Sequence, residues 1–208
     1  MNGYYGVANW LTYLNMVSGV VGVGFAFGGN IHFAVACLIV AGVCDMFDGT
    51  VAKRYERSEF EKNYGIQIDS LADVISFGVL PGAIGMVLNM GRLPMIFIVA
   101  LYVLAALIRL AYFNVTEIDI LGTEKAARTH YEGLPVTSVA IIIPFIYLLS
   151  LCFDFSLQPL YGLLLMVIAV LFVLKFRVPK LKMRTKVVLG AVSIPAILII
   201  TIKVVMSR

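Results

Sequence analysis

The sequence predicts an all-α polytopic membrane protein of about seven transmembrane helices, preceded by a short interfacial segment at the N-terminus. Three observations lead there. Hydrophobic residues make up 61% of the chain and charged residues only 13%, whereas ordinary globular domains carry about 45–50% and about 25%. Seven apolar runs each approach the roughly 20 residues that a span requires. The lysines and arginines, finally, gather in only some of the intervening loops.

The stretch from Tyr4 to Leu14 carries Tyr4, Tyr5, Trp10 and Tyr13. These aromatic side chains favour the headgroup level, so the stretch is expected to lie in the interface plane. Spans are expected at about 13–29, 31–52, 67–90, 94–114, 134–153, 157–174 and 186–206, with polar segments at 53–64, 115–133 and 175–186. No repeat or low-complexity tract divides the chain, which reads as a single domain, 1–208. Met1-Asn2-Gly3 offers no basic region ahead of the first apolar run, so no signal peptide is expected.

Of the 16 Lys and Arg, 12 fall in the three polar segments. With seven spans these segments share one side of the membrane. The positive-inside rule makes that side the cytoplasm, with the N-terminus inside and the C-terminus outside a cell membrane. The basic run from Lys175 to Lys186 is expected to rest on anionic headgroups. That accounts for the net charge of +4 without nucleic acid as a partner. Cys37, Cys44 and Cys152 sit in apolar stretches without metal-ligand spacing, as small buried hydrophobes do.

The acidic residues carry the chemistry. Asp45 and Asp48 close the second span, while Asp69 and Asp73 open the third. At about 100° per residue, Asp45 and Asp48 share one narrow arc of their helix, and Asp69 and Asp73 are stacked one turn apart on theirs. Antiparallel neighbours joined by a short loop then bring the two pairs face to face. A carboxylate inside a span costs on the order of 2.5–3.5 kcal/mol at the centre, and four together repel one another. A divalent cation removes both problems, and an all-oxygen ligand set suits Mg²⁺ or Mn²⁺. A single aspartate here would read as a solvated helix end; four at these spacings do not. Gly49, Ala52 and Gly65 leave that face without bulk, either for a ligand or for close helix packing.

The stretch Asp45-Met-Phe-Asp48-Gly49-Thr-Val-Ala52-Lys53, then 11 residues, then Gly65-Ile-Gln-Ile-Asp69-Ser-Leu-Ala-Asp73 resembles the signature of the CDP-alcohol phosphotransferase family. That pattern is D-x-x-D-G-x-x-A-R, a spacer, then G-x-x-x-D-x-x-x-D. One fixed position departs from it: Lys53 stands where the family has Arg, which keeps the charge and loses the planar fork. Flanking stretches look like the membrane-integral phosphatidylserine synthase branch of the family. They are Asp69 to Pro81, Asn9-Trp-Leu11-Thr12-Tyr-Leu14-Asn15, Arg109 to Asn114, and Gly133-Leu134-Pro135.

The resemblance implies a six-helix core, to which one further helix is added here, and commonly a homodimer. It implies CDP-diacylglycerol and L-serine as substrates, transfer of the phosphatidyl group at the cytoplasmic face, and two divalent cations, Mg²⁺ or Mn²⁺. Carried over residue by residue, Asp45, Asp48 and Asp69 would be metal ligands, and Asp73 both a metal contact and the general base. Gly49, Ala52, Lys53 and Gly65 would line the cytidine and diphosphate site.

Arg109 lies in an otherwise apolar span. Its expected partner is the lipid phosphate, the serine carboxylate or one of the four aspartates, unless it snorkels to the interface. His130 reads as an ordinary loop histidine, and Gly78-x-x-x-Gly82 as a helix- or subunit-packing motif. Two alternatives stay open. One is another acceptor, glycerol 3-phosphate or inositol phosphate, which extra cations at the site would favour. The other is a cation transporter, for which acids at mid-membrane and paired interrupted helices would speak.

Overall fold

A computed structural model describes residues 7–52, 54–55, 57–122 and 130–179. Helix α1 runs over Val7–Phe27 and α2 over Ile31–Ala52. A tight turn at Gly28 and Gly29 makes them antiparallel neighbours along their whole length. From Val7 onward, the residues expected in the interface plane are instead the first turns of α1. The physical reason is polar. Asn9, Thr12 and Asn15 are all buried against the rest of the protein, while Trp10 and Leu14 point outward. Tyr4 and Tyr5 lie outside the described residues.

Helix α3 spans Glu59–Asp73 and starts earlier than the apolar run alone suggests. Its N-cap is Ser58, whose hydroxyl accepts from the Glu61 backbone N–H, while the Glu61 carboxylate accepts from the Ser58 N–H. That capping box adds two polar turns ahead of the membrane. A π-helical segment, Val74–Val79, follows directly, and then α4, Leu80–Leu88. The continuous helix from Glu59 to Leu88 has 30 residues, about 45 Å of rise against a hydrocarbon core of about 30 Å. That length leaves room for its polar first turns outside the hydrocarbon.

The π segment has identifiable supports. Pro81 has no N–H to offer the Phe77 carbonyl four residues back. The Tyr102 hydroxyl donates to that carbonyl instead, at 2.6 Å, and the Tyr161 hydroxyl donates to the Pro81 carbonyl at 3.1 Å. On the other side Ser76 meets α1 at Gly19, where any side chain would collide with the serine hydroxyl.

A hairpin through Met90 and Gly91, both at positive φ, leads into α5, Leu93–Gly122. Gly78 and Gly82 turn toward α5; a methyl group on Gly82 would stand 2.7 Å from Val99. The small residues there let two helices of one chain approach. After a short strand β1, His130–Glu132, and one 3₁₀ turn, Val136–Ser138, come α6, Val139–Phe153, and α7, Gln158–Val173. Strand β2, Arg177–Pro179, pairs antiparallel with β1. This two-stranded tie joins two segments expected from the sequence to be polar loops.

Tyr102, Tyr161, Phe77, Phe172 and Leu80 are fully buried at the centre, and Phe97, Leu101, Leu104 and Ile108 line the exposed side of α5. An apolar exterior around a packed interior is what lipid selects. Five helices are long and apolar enough to cross a membrane, and α7 is a shorter apolar helix. The protein is membrane-integral and all-helical in its spans. Six of the seven expected spans are thus accounted for; the seventh, 186–206, lies outside the described residues.

Candidate metal centre

Carboxylates from the last two turns of α2 and the last two of α3 converge. Asp45, Asp48 and Asp69 each offer a carboxylate oxygen, and these oxygens all lie within 4.8 Å of one another. Asp48 is buried and the other two are half-buried. Oδ1 of Asp69 is buried and accepts no hydrogen bond among the described residues. Three converging carboxylates, one with an orphaned buried oxygen, concentrate negative charge at one point. A hard divalent cation with oxygen ligands fits that donor set.

Asp73 stands one turn deeper on α3 and does not join that group of three. It is buried, and its Oδ1 accepts from the Asn15 side-chain amide at 2.9 Å. Asp45, Asp69 and Asp48 all lie within electrostatic reach of it. The Thr12 hydroxyl faces Asp48 Oδ2 at 3.3 Å, a long hydrogen bond. The Gly49 N–H donates to Asp48 Oδ1.

Asn9, Thr12 and Asn15 are thus the floor of the site, supplied by α1. Sequence reasoning used their stretch as part of an interfacial segment and as a mark of the family branch, and gave these residues no role. The signal was present: polar residues recurring every third position within an apolar span form one helical stripe.

Of the other expected site residues, Gly49 has no described residue beyond its own stretch of helix within 4 Å of where a side chain would begin. Ala52 is half-buried at the end of α2. Gly65 faces the Arg57 guanidinium and the Asn9 side chain. Lys53 lies outside the described residues.

Arg109 is buried, and its guanidinium serves the backbone. Nε donates to the Leu134 carbonyl at 3.2 Å and Nη2 to the Gly133 carbonyl at 3.3 Å. It clamps the turn that precedes α6. Gly133 sits at φ +84°, and a side chain there would meet the Leu174 carbonyl at 2.7 Å, so only glycine suits this turn. One turn and a half further along α5, Asn114 accepts from Ser70 at 2.6 Å and ties α3 to α5 beside the carboxylates.

A sequence profile of the CDP-alcohol phosphatidyltransferase family matches residues 5–206. The chain is 34% identical over 150 residues to the CDP-diacylglycerol–serine O-phosphatidyltransferase of Saccharomyces cerevisiae, covering 68% of this chain and 53% of that protein. It is 30% identical over 190 residues to the enzyme of the same name from Helicobacter pylori, covering 88% and 75%. To the archaetidylserine synthase of Methanothermobacter thermautotrophicus it is 30% identical over 149 residues, covering 71% and 60%. The chain therefore spans about half the length of its yeast relative and three quarters of the bacterial one.

Proposed function

The chain belongs to the CDP-alcohol phosphatidyltransferase family, and from that premise we propose that it moves the phosphatidyl group of CDP-diacylglycerol onto the hydroxyl of L-serine, releasing CMP. The observation that carries the proposal is the convergence of Asp45, Asp48 and Asp69 within 4.8 Å, on the family's own motif positions. The names of the relatives support serine as acceptor.

The residues divide the work. Asp45, Asp48 and Asp69, with Asp73 beside them, hold two divalent cations, Mg²⁺ or Mn²⁺. When bound, these neutralise the diphosphate and the departing CMP. Gly49, Ala52 and Gly65 leave room for the cytidine and its phosphates, and Lys53, at the motif's basic position, supplies a cation for phosphate. Asp73 takes the proton from the serine hydroxyl as its oxygen attacks the phosphatidyl phosphorus; the bond from that phosphorus to the CMP oxygen breaks, and CMP leaves with the electron pair. Asn15 orients the Asp73 carboxylate, and Arg109 shapes the turn at Gly133 and Leu134 that borders the acceptor side. The lipid enters sideways from the bilayer, with the site at the cytoplasmic face, and the protein works as a homodimer.

The test is a purified sample supplied with CDP-diacylglycerol and a panel of alcohols, following CMP release. Release should require serine and vanish in excess chelator, returning with Mg²⁺ or Mn²⁺. Release driven equally by glycerol 3-phosphate or inositol phosphate would overturn the acceptor, and full activity in chelator would overturn the metal role.

A further inference from the structure

We infer that Arg57 grips the anionic diphosphate of the nucleotide substrate from the α3 side of the site, a role that the aspartate motif does not assign. The inference rests on the proposed use of a CDP-linked lipid.

Arg57 directly precedes Ser58, and the capping box of Ser58 and Glu61 holds the chain at that point. Its guanidinium lies against the backbone of α3: Nη1 is 3.2 Å from where a side chain on Gly65 would begin. Asn9 Oδ1 stands 3.8 Å from the same point. Nε of Arg57 is buried and has no hydrogen-bond partner among the described residues. An arginine N–H out of water and unpaired is costly, and a guanidinium fork is shaped for the oxygen pairs of phosphate.

The neighbourhood says which anion. Gly65 precedes Asp69 by four residues, one helical turn and about 6 Å of rise. Arg57, against Gly65, and the carboxylate trio, joined by Asp69, thus stand about one turn apart along α3. A nucleoside diphosphate whose charge is shared between the carboxylate-held cations and a guanidinium fits both ends. Lys53, where the family pattern carries arginine, offers a point charge without a fork. Arg57 supplies the fork from four residues further along the chain. The bare face of Gly65 is what lets the guanidinium lie flat on the helix.

The test uses the whole purified chain with Mg²⁺, Arg57→Ala and Arg57→Lys, and two soluble probes, CDP and cytidine, followed by calorimetry. Arg57→Ala should weaken CDP binding and raise the KM for CDP-diacylglycerol, each about tenfold to a hundredfold. The KM for serine and the affinity for cytidine should hold. Arg57→Lys keeps the charge, and should weaken CDP severalfold; it carries the test if the alanine variant does not fold. Gly65→Ala should weaken CDP in the unsubstituted chain and add little to Arg57→Ala.

Unchanged CDP binding in both Arg57 variants overturns the assignment. So does a change confined to the KM for serine, which would make Arg57 a reader of the acceptor carboxylate. If the unsubstituted protein neither binds CDP nor releases CMP, the proposed function itself falls, and this role with it.

Discussion

Asn15 reaches from α1 across to α3 and donates its side-chain amide to Asp73 Oδ1 at 2.9 Å. Its own backbone carbonyl accepts from the Ser76 hydroxyl, also at 2.9 Å, just past the start of the π segment. Asn15 is fully buried. One residue therefore fixes both the carboxylate and the helical irregularity that follows it. A π insertion rotates everything after it relative to an ideal helix, and such insertions frequently mark functional sites. Here it begins directly after Asp73, and Ser76 and Phe77 within it are fully buried.

Asn15→Ala should lower kcat about tenfold to a hundredfold, the usual worth of a hydrogen bond to a charged group. The KM for CDP-diacylglycerol should change little, because Asn15 touches the base and not the nucleotide niche. Steady-state kinetics checks the split, with the thermal midpoint measured alongside. A kcat loss matched by a collapse in thermal stability would instead mean that Asn15 is a packing residue.

Much of this arrangement is legible in the amino-acid order, and the limits have physical causes. Asp45, Asp48, Asp69 and Asp73 announce themselves because a carboxylate in an apolar helix needs a reason. Asn9, Thr12 and Asn15 announce themselves less, since an amide or hydroxyl in a span is far cheaper to bury than a charge. The start of α3 at Glu59 escaped a hydropathy count because its first turns are polar and capped by Ser58. The π segment has no composition of its own; Pro81 and the hydrogen bonds involving Asn15, Tyr102 and Tyr161 support it, and those contacts are tertiary. The pairing of His130–Glu132 with Arg177–Pro179 joins residues far apart in the chain, which no local pattern reveals.

Arg109 separates anchoring from substrate binding. A lysine there keeps the charge but cannot serve the Gly133 and Leu134 carbonyls from two positions of one rigid fork. Arg109→Lys should lower the thermal midpoint by a few degrees, as the loss of about 1–2 kcal/mol does in a chain of this size. Differential scanning in detergent measures it. A midpoint unchanged alongside a raised KM for either substrate would show that Arg109 serves the ligand and not the turn.

Orientation is checked by cysteine labelling in sealed vesicles, after Cys37, Cys44 and Cys152 are replaced by serine or alanine. Met90 is highly exposed in the hairpin between α4 and α5, and Phe60 is exposed in the first turn of α3. They lie at opposite ends of one helix of 30 residues. Met90→Cys should react only with reagent outside the cell, and Phe60→Cys only from the cytoplasm. Labelling in the reverse sense would put the carboxylates on the outer face and overturn the proposed orientation.

The sharpest prediction distinguishes base from ligand at the fourth aspartate. Asp73→Asn keeps the shape, keeps an oxygen that can accept from Asn15, and keeps an oxygen able to face a cation. What it removes is the capacity to take the serine proton. General base catalysis contributes typically about 10²–10⁴-fold, so kcat should fall by at least the lower figure while affinity for CDP-diacylglycerol barely moves. Asp48→Asn should behave differently. Asp48 belongs to the group of three whose oxygens converge within 4.8 Å, so losing its charge should weaken metal and CDP binding together. The two variants must be compared at saturating Mg²⁺, because a weakened metal site otherwise mimics a missing base. Calorimetry with CDP supplies the second axis: Asp73→Asn should bind it nearly as well as the unsubstituted protein, and Asp48→Asn should not. Near-normal turnover of Asp73→Asn under those conditions would remove Asp73 from the base role. Its hydrogen bond to Asn15 would then serve only to hold α1 against α3.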